Sequence, residues 1–468
     1  MVGEPDSSEP SPGDLRAFAE TVVGEVLTPN DEAYREARRV WNGMINRFPA
    51  AVVRCAGVGD VVDAVGFARE HDLDLAVRGG GHNVAGNATC DGGLVVDLSA
   101  MNAVRVSPST KTARVEGGAR WADVDRETQR FGLATPGGVV SDTGVAGLTL
   151  GGGMGHLRRA YGLSCDTLVS ADVVTAEGDL VTASADENPD LFWALRGGGG
   201  NFGVVTSFEF VLYEVGPEVA VLFVWHRADR AVEHLSAFRE WAVDAPDEAS
   251  VLAFYAWVPA EEPFPAESWG EPAVVFLGAY AGDTDAGMET FDPLRTLEEP
   301  IGDFGGPLPY VELQSMLDAD YPHGMLYYWK SLYLDSLDDE VVARIVAVSE
   351  ECPVPASTVD LWHLGGAIEA VEESATVYAN RDAPYLLNFE ANWTDPRETG
   401  AAVAWVRDSV ASFRELAGTR GEYVNFAGFG EDPTRVAYGE QYDRLVEVKT
   451  AYDPANLFRL NRNVPPET

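Results

Sequence analysis

The chain has 468 residues, with 33 Lys+Arg against 75 Asp+Glu for a formal net charge of −42, and 46% of it is hydrophobic. That apolar content excludes global disorder, and the charge excludes nucleic-acid phosphates and anionic membrane surfaces as partners. Lysine occurs only at Lys111, Lys330 and Lys449, an acid-rich balance expected of a halophilic protein, since molar salt screens charge within about 3 Å.

In chain order, 1–14 is acidic and Pro-rich and is expected to be an unstructured tail. It shows no basic n-region or apolar h-region, and no apolar run in the chain reaches the ~18 residues of a membrane span, so a cytoplasmic location is expected. Helical periods occupy 15–27 and 31–42. An α/β pattern follows, with strands at 52–53, 75–77, 93–98, 169–175 and 204–212 and helices at 60–71, 121–131 and 189–195. After Gly216-Pro217, long alternating strands are predicted at 219–225, 251–257, 274–280, Leu326–Leu334 and Tyr385–Trp393, with a helix at 230–243. This pattern predicts an antiparallel sheet covered by helices on one side. The last fifty residues read as loop.

Glycine clusters at 79–81, 151–153 and 197–200. Consecutive glycines can turn several amides toward one anion, although each cluster alone reads equally well as a tight turn. Gly198-x-Gly200-x-x-Gly203 has the dinucleotide spacing, but that motif needs strand, glycines, then helix; here a helix precedes and a strand follows. No P-loop Gly-Lys-Ser/Thr, H-E-x-x-H or G-x-S-x-G occurs, so those phosphate and hydrolase templates are excluded. What stands out is Arg78-Gly79-Gly80-Gly81-His82-Asn83, a cation, a glycine nest and an imidazole directly after a strand.

With this motif the sequence resembles the berberine bridge enzyme-like flavoproteins of the vanillyl-alcohol oxidase/PCMH fold. Matching stretches follow in family order: Asn46-Arg-Phe-Pro-Ala50, Gly151-Gly-Gly-Met-Gly155, Tyr161-Gly-Leu163 with Asp166, Arg196 to Val205, Tyr438-Gly439, Lys449, Tyr452-Asp-Pro-x-Asn-x-Phe458 and Asn461-x-Asn-Val-Pro-Pro466. The resemblance implies an α+β fold. Its PCMH-type FAD-binding domain, of two small α/β subdomains, would span 15–215. The substrate domain would span 216–420, and 421–468 would return to the first domain.

The resemblance also implies roles. Gly79, Gly80, Gly81, His82 and Asn83 would wrap the FAD pyrophosphate, with Arg78 adding charge. Gly151, Gly152, Gly153 and Gly155 would flank the flavin on a second loop, and Gly203 and Val204 on a third. Asn461 and Asn463 would close the pocket. His82 would carry the flavin through its 8α carbon. Many relatives add a second link from a Cys eleven residues before the G-G-G-x-G loop; that position is Val140, so a single covalent bond is expected. The activity implied is oxidation of a C–OH or C–N carbon of a small-molecule substrate by hydride transfer to flavin N5, with oxygen or another electron acceptor downstream.

Many relatives use a tyrosine base where Phe426 stands, after Tyr423-Val-Asn425. A replacement is sought on the Tyr385–Trp393 strand, whose alternation puts Asn388, Glu390 and Asn392 on one face. Glu390 is the expected base, with Asn388, Tyr378 and Tyr423 beside it. Tyr327, Trp329, Ser331 and Tyr333 share a face of a second strand. Loss of the tyrosine leaves a non-catalytic flavin-binding module open, and a dehydrogenase is the other alternative. The six histidines besides His82 lack metal-ligand spacing with a carboxylate, so no metal is expected. Cys165 reads as a buried hydrophobe.

Overall fold

The computed structural model of the chain describes residues 10–429 and 434–467. Residues 1–9 of the expected tail lie outside that description, but Pro12–Ala19 is a helix. Its start is encoded locally: the Ser11 hydroxyl accepts from the Asp14 amide, the Asp14 carboxylate accepts from the Ser11 amide, and proline occupies the first turn. The 15–27 helix is too long an expectation, because Glu25–Leu27 is a strand paired antiparallel with Ala51–Arg54. Of 31–42, only Tyr34–Ala37 is helical.

Three large sheets organise the described residues, beside a two-stranded pairing of Leu133–Ala134 with Tyr213–Glu214. The first has the strand order Glu25–Leu27, Ala51–Arg54, Leu94–Asp97, Leu75–Arg78, with the last three parallel. Parallel strands are covered on both faces and need unbroken apolar runs, and every residue of Leu94–Asp97 is buried. The second is a five-stranded antiparallel sheet in which Val204–Val211 lies between Thr112–Glu116 and Leu168–Val174. The 197–200 glycines join the Pro189–Leu195 helix to that central strand.

The third sheet is antiparallel throughout. Its centre runs Glu218–Arg227, Pro272–Tyr280, Ala249–Trp257, Thr358–His363, Tyr385–Trp393, Leu326–Leu334. Thr358–His363, absent from the sequence reading, fills the gap between two anticipated strands. Helices Ala231–Asp244, Thr284–Arg295, Asp339–Glu350 and Thr399–Arg414 cover one face and share a core with Leu387, Phe389 and Ala391. Pleating therefore aims Asn388, Glu390 and Asn392 at the other face, toward the first two sheets. All nine residues of that strand are buried, so it is not a solvated edge.

The C-terminal stretch is not all loop. Tyr442–Tyr452 is a helix whose Leu445 and Val448 pack into the core of the second sheet with Leu191 and Trp193. From its last turn the Lys449 ammonium donates to the Asn201 carbonyl at 2.8 Å, and beyond the helix the Asn461 amide donates to the Gly200 carbonyl at 3.0 Å. The tail is thus tied to the third glycine cluster. No helix among the described residues is long and apolar enough to cross a membrane.

Candidate active site

The Leu75–Arg78 strand ends at the carboxyl edge of the parallel sheet, where open α/β sheets bind ligands. A Cβ on Gly80 would lie 2.4 Å from the Gly144 amide nitrogen, and one on Gly79 2.8 Å from the Gly117 carbonyl oxygen. Two loops thus meet backbone to backbone with no room for a side chain. They wall a cavity of about 680 Å³, within the ~300–1,000 Å³ of small-molecule sites. Gly79–Asn83, Gly151, Gly203, Asn461 and Asn463 line one side; Trp329, Asp360, Trp362, Glu390 and Phe426 line the other. Asn461 and Asn463 each present a buried side-chain oxygen with no partner among the described residues. Bare acceptors and glycine-lined backbone fit a flavin nucleotide, whose ribityl hydroxyls and ring N–H are donors.

His82 is clamped at this wall. Its ring stacks on Trp41 at 4.9 Å, and Trp41 stacks on Tyr327 at 3.7 Å. His82 Nε2 lies 3.1 Å from Asp142 Oδ2, and His323 Nε2 lies 2.5 Å from the same oxygen. The Arg120 guanidinium donates to the other Asp142 oxygen. Burial would raise the Asp142 pKa, but these hydrogen bonds and the Arg120 charge hold it well below the usual carboxylate range. Burial pushes His82 down despite Asp142, favouring a neutral ring. With Nε2 engaged, Nδ1 is the nitrogen without a hydrogen-bond partner among the described residues.

Across the cavity lies a pair of buried carboxyls. Asp360 comes from Thr358–His363 and Glu390 from the adjacent Tyr385–Trp393 strand; Asp360 stands opposite Asn388, so Glu390 is its diagonal neighbour two residues along, on the same face. Tyr321 donates to Glu390 Oε2 at 2.8 Å, and the Asn388 amide donates to Oε1 at 2.6 Å. Burial pushes Asp360 up to about 6. Burial first, and then the Asp360 charge, push Glu390 well above the carboxylate range. Two carboxyls this close and this dry cannot both ionise, so over a wide pH range the pair holds one proton and one negative charge. Tyr321, Trp329, Phe426 and Trp362 form a chain of ring contacts along this wall, edge-on from Tyr321 to Trp329 to Phe426 and tilted from Phe426 to Trp362, at 5.7–5.9 Å between centroids.

Two family profiles match the chain, one described as "FAD binding domain" over residues 49–184 and one as "Berberine and berberine like" over residues 422–465. An FAD-linked oxidoreductase of Dictyostelium discoideum is 32% identical over 457 residues, covering 97% of each chain. The (R)-6-hydroxynicotine oxidase of Paenarthrobacter nicotinovorans is 32% identical over 476 residues, covering 96% of this chain and 98% of that one. The chain belongs to the berberine bridge enzyme-like FAD-linked oxidoreductases. The solved xylooligosaccharide oxidase of Myceliophthora thermophila C1, in complex with xylobiose, superposes with a TM-score of 0.85 at 27% identity, covering 97% of this chain and all of that one.

In this berberine bridge enzyme-like oxidoreductase, some residues expected at the flavin stand elsewhere. Arg78 does not line the cavity: its guanidinium donates to Asp97 at 2.7 Å and to the Arg39 carbonyl, so its charge is neutralised behind the glycine turn. Gly152, Gly153 and Gly155 lie behind Gly151, and Val204 is in the core of the first sheet while its neighbours Gly203 and Val205 face the cavity. Gly152 and Gly153 have φ of +119° and +94°, and the Gly153 amide donates to the Tyr423 hydroxyl at 3.0 Å. Gly155 abuts the Gly137 carbonyl. These three shape the loop.

Tyr378 is outside the cavity as well. It accepts from the Tyr333 hydroxyl at 2.8 Å and packs over Gly152 and Gly197. Asn388 reaches the cavity only through Glu390, and its own Oδ1 is buried without a partner among the described residues. Tyr423 does line the wall, its hydroxyl held by Gly153 and by the Asn425 amide at 2.9 Å. The sequence reading missed Asp360, Tyr321 and Asp142. Asp360 had a signal, since Thr358-Val-Asp-Leu-Trp-His363 alternates with a lone acid on the polar side. Asp142 and Tyr321 lie on loops, and nothing in the sequence links them to His82 or Glu390.

Proposed function

We propose that the enzyme oxidises a C–OH or C–N carbon of a small polar or cyclic substrate, with the Asp360–Glu390 pair accepting the proton and oxygen as the terminal acceptor. FAD, when bound, would supply the hydride and electron acceptance that the side chains lack. Gly79–Asn83, Gly151, Gly203, Asn461 and Asn463 line the cavity and would hold it. The observation that carries this reading is a buried pair of carboxyls, Asp360 and Glu390, facing the cavity among aromatic rings. Phe426 cannot take a proton, but Asp360 can. Glu390 keeps its own proton and fixes the Asp360 oxygen, Tyr321 and Asn388 fix Glu390, and Trp329, Trp362 and Phe426 exclude water and stack on the substrate ring. Relatives named for a hydroxynicotine and for xylooligosaccharides support both carbon classes.

His82 is proposed as the sole covalent attachment point. Its Nδ1 has no hydrogen-bond partner among the described residues, burial favours its neutral form, and no cysteine lines the cavity among those residues. Val140 lines it at the position where relatives carry the second link.

Anaerobic stopped-flow mixing with a panel of secondary amines, alcohols and oligosaccharides tests the proposal. Bleaching of the bound flavin by a panel member, with rapid recovery in air, is expected. Bleaching without aerobic recovery would make the enzyme a dehydrogenase, and no bleaching by any member would remove the catalytic reading.

A further inference from the structure

On the helix-covered face of the large sheet, opposite the cavity, three ligating side chains converge. His226 sits near the end of the Glu218–Arg227 strand, His234 in the Ala231–Asp244 helix, and Glu298 just beyond the Thr284–Arg295 helix. One ligand atom from each lies within 4.8 Å of the other two. The imidazole centroids are 5.1 Å apart, and the two histidines are 0% and 2% exposed.

Their hydrogen bonds leave the converging atoms bare. His226 Nε2 lies 2.9 Å from the Leu294 carbonyl oxygen. A carbonyl only accepts, so the proton is on Nε2 and the lone pair is on Nδ1. That Nδ1, both ring nitrogens of His234 and Glu298 Oε1 are buried without a hydrogen-bond partner among the described residues. His234 Nε2 and Glu298 Oε1 approach to 3.4 Å without hydrogen-bond alignment. Arg230 lies 3.7 Å from the other carboxylate oxygen, leaving Oε1 aimed inward.

Such atoms are costly to bury bare, and together they ask for a ligand that only accepts lone pairs. An imidazole whose far N–H is anchored on a backbone carbonyl is the usual state of a metal-bound histidine. Burial holds both histidines below their ordinary pKa, and the His226 ring adds to this at His234, which favours the neutral form a metal requires.

We propose that His226, His234 and Glu298 bind one divalent ion of the zinc class, with water completing a four-coordinate site. Two nitrogens and one carboxylate oxygen suit Zn²⁺ rather than Ca²⁺ or Mg²⁺. Ligand distances of ~2.0–2.1 Å put tetrahedral donors about 3.4 Å apart, so the widest pair closes by little more than 1 Å through side-chain torsions. The ion would clamp the strand end to both helices, a structural role that leaves flavin chemistry on the other face untouched. Sequence spacing hid the site because its ligands come from three separate elements.

The flavin-loaded full-length protein, stripped with a chelator and desalted, would be titrated with Zn²⁺ against a chromogenic competitor. One Zn²⁺ per chain, bound at micromolar Kd or tighter, is expected, with Tm rising by roughly 2–10 °C. Glu298→Gln and His234→Gln should each weaken binding at least tenfold while keeping the flavin spectrum. His323→Ala, which removes a ligand atom from the separate His82–Asp142–His323 cluster, should leave binding unchanged. Absence of stoichiometric binding in the wild type overturns the proposal. So does binding that survives both substitutions, or that is lost with His323.

Discussion

The ionised member of the carboxyl pair decides which substitution hurts most. Burial pushes Asp360 up to about 6 and Glu390 higher still, which favours the charge on Asp360 and the shared proton on Glu390. Asp360→Asn therefore removes the acceptor and should slow substrate-driven flavin reduction by roughly 10²–10⁴-fold. Glu390→Gln keeps a donor toward Asp360 and should cost less. In the wild type, the reduction rate should fall as pH drops through about 6, where Asp360 gains a proton. A larger loss in Glu390→Gln than in Asp360→Asn would return the base role to Glu390. At the other wall, acid-precipitated wild type should stay yellow and yield one flavinylated peptide, containing His82. His82→Ala should release its flavin into acid, and a flavin-bearing Cys peptide would contradict the single link. The His82 site was legible because nest and imidazole are contiguous in sequence. The carboxyl pair was half legible, since Glu390 stood on a long alternating strand while its partner belonged to a short one.

Among elements, long alternating strands were read closely, and Leu326–Leu334 and Tyr385–Trp393 match the structure end to end. Pieces whose form depends on tertiary pairing were not: Glu25–Leu27 became a strand only because Ala51–Arg54 lies beside it. A packing joint equally hidden from sequence ties the Trp121–Thr128 helix to the large sheet's side. Asp125 is buried there, accepts from the Gln314 amide at 3.1 Å, and has no partner for Oδ1 among the described residues. Burial pushes its pKa up to about 7. The folded state thus binds this proton more tightly than the unfolded chain, whose Asp titrates near ~4. The stability it lends is complete below ~4 and is lost as pH rises toward 7. Asp125→Asn should remove that loss, so its advantage over wild type should grow between pH 4.5 and 7.5 and then level, at on the order of 3–4 kcal/mol. Denaturant midpoints for both proteins across this range check it, and a constant difference would show that Asp125 does not titrate there. Nearby in kind, Phe389 packs between Trp405 and Phe413 with no exposed surface. Phe389→Ala should cost about 3–5 kcal/mol in the same assay.

Over the whole molecule, the net charge of −42 acts through its local spacing. Exposed acids stand side by side at Glu261-Glu262, Asp338-Asp339-Glu340, Glu350-Glu351 and Glu372-Glu373. Neighbouring residues are about 3.8 Å apart along the backbone, which puts their carboxylates roughly 4–8 Å from one another. The screening length is about 10 Å at 0.1 M salt and about 3 Å at 1 M. Repulsion within these clusters therefore persists at ordinary ionic strength and is screened only toward molar salt. Few lysines are present to offset it, and exposed pairs such as Arg54–Glu25 and Lys111–Glu214 contribute little in either condition. The unfolded chain spreads the same charges apart, so repulsion is felt mainly by the folded state. The Tm should rise from 0.1 to 1 M KCl and flatten beyond, with choline chloride giving the same rise if screening rather than cation binding is responsible. Uncharged sucrose at matched osmolality should not reproduce the step. A Tm that stays flat from 0.1 to 2 M KCl would mean that the acidic surface carries no stability requirement for salt.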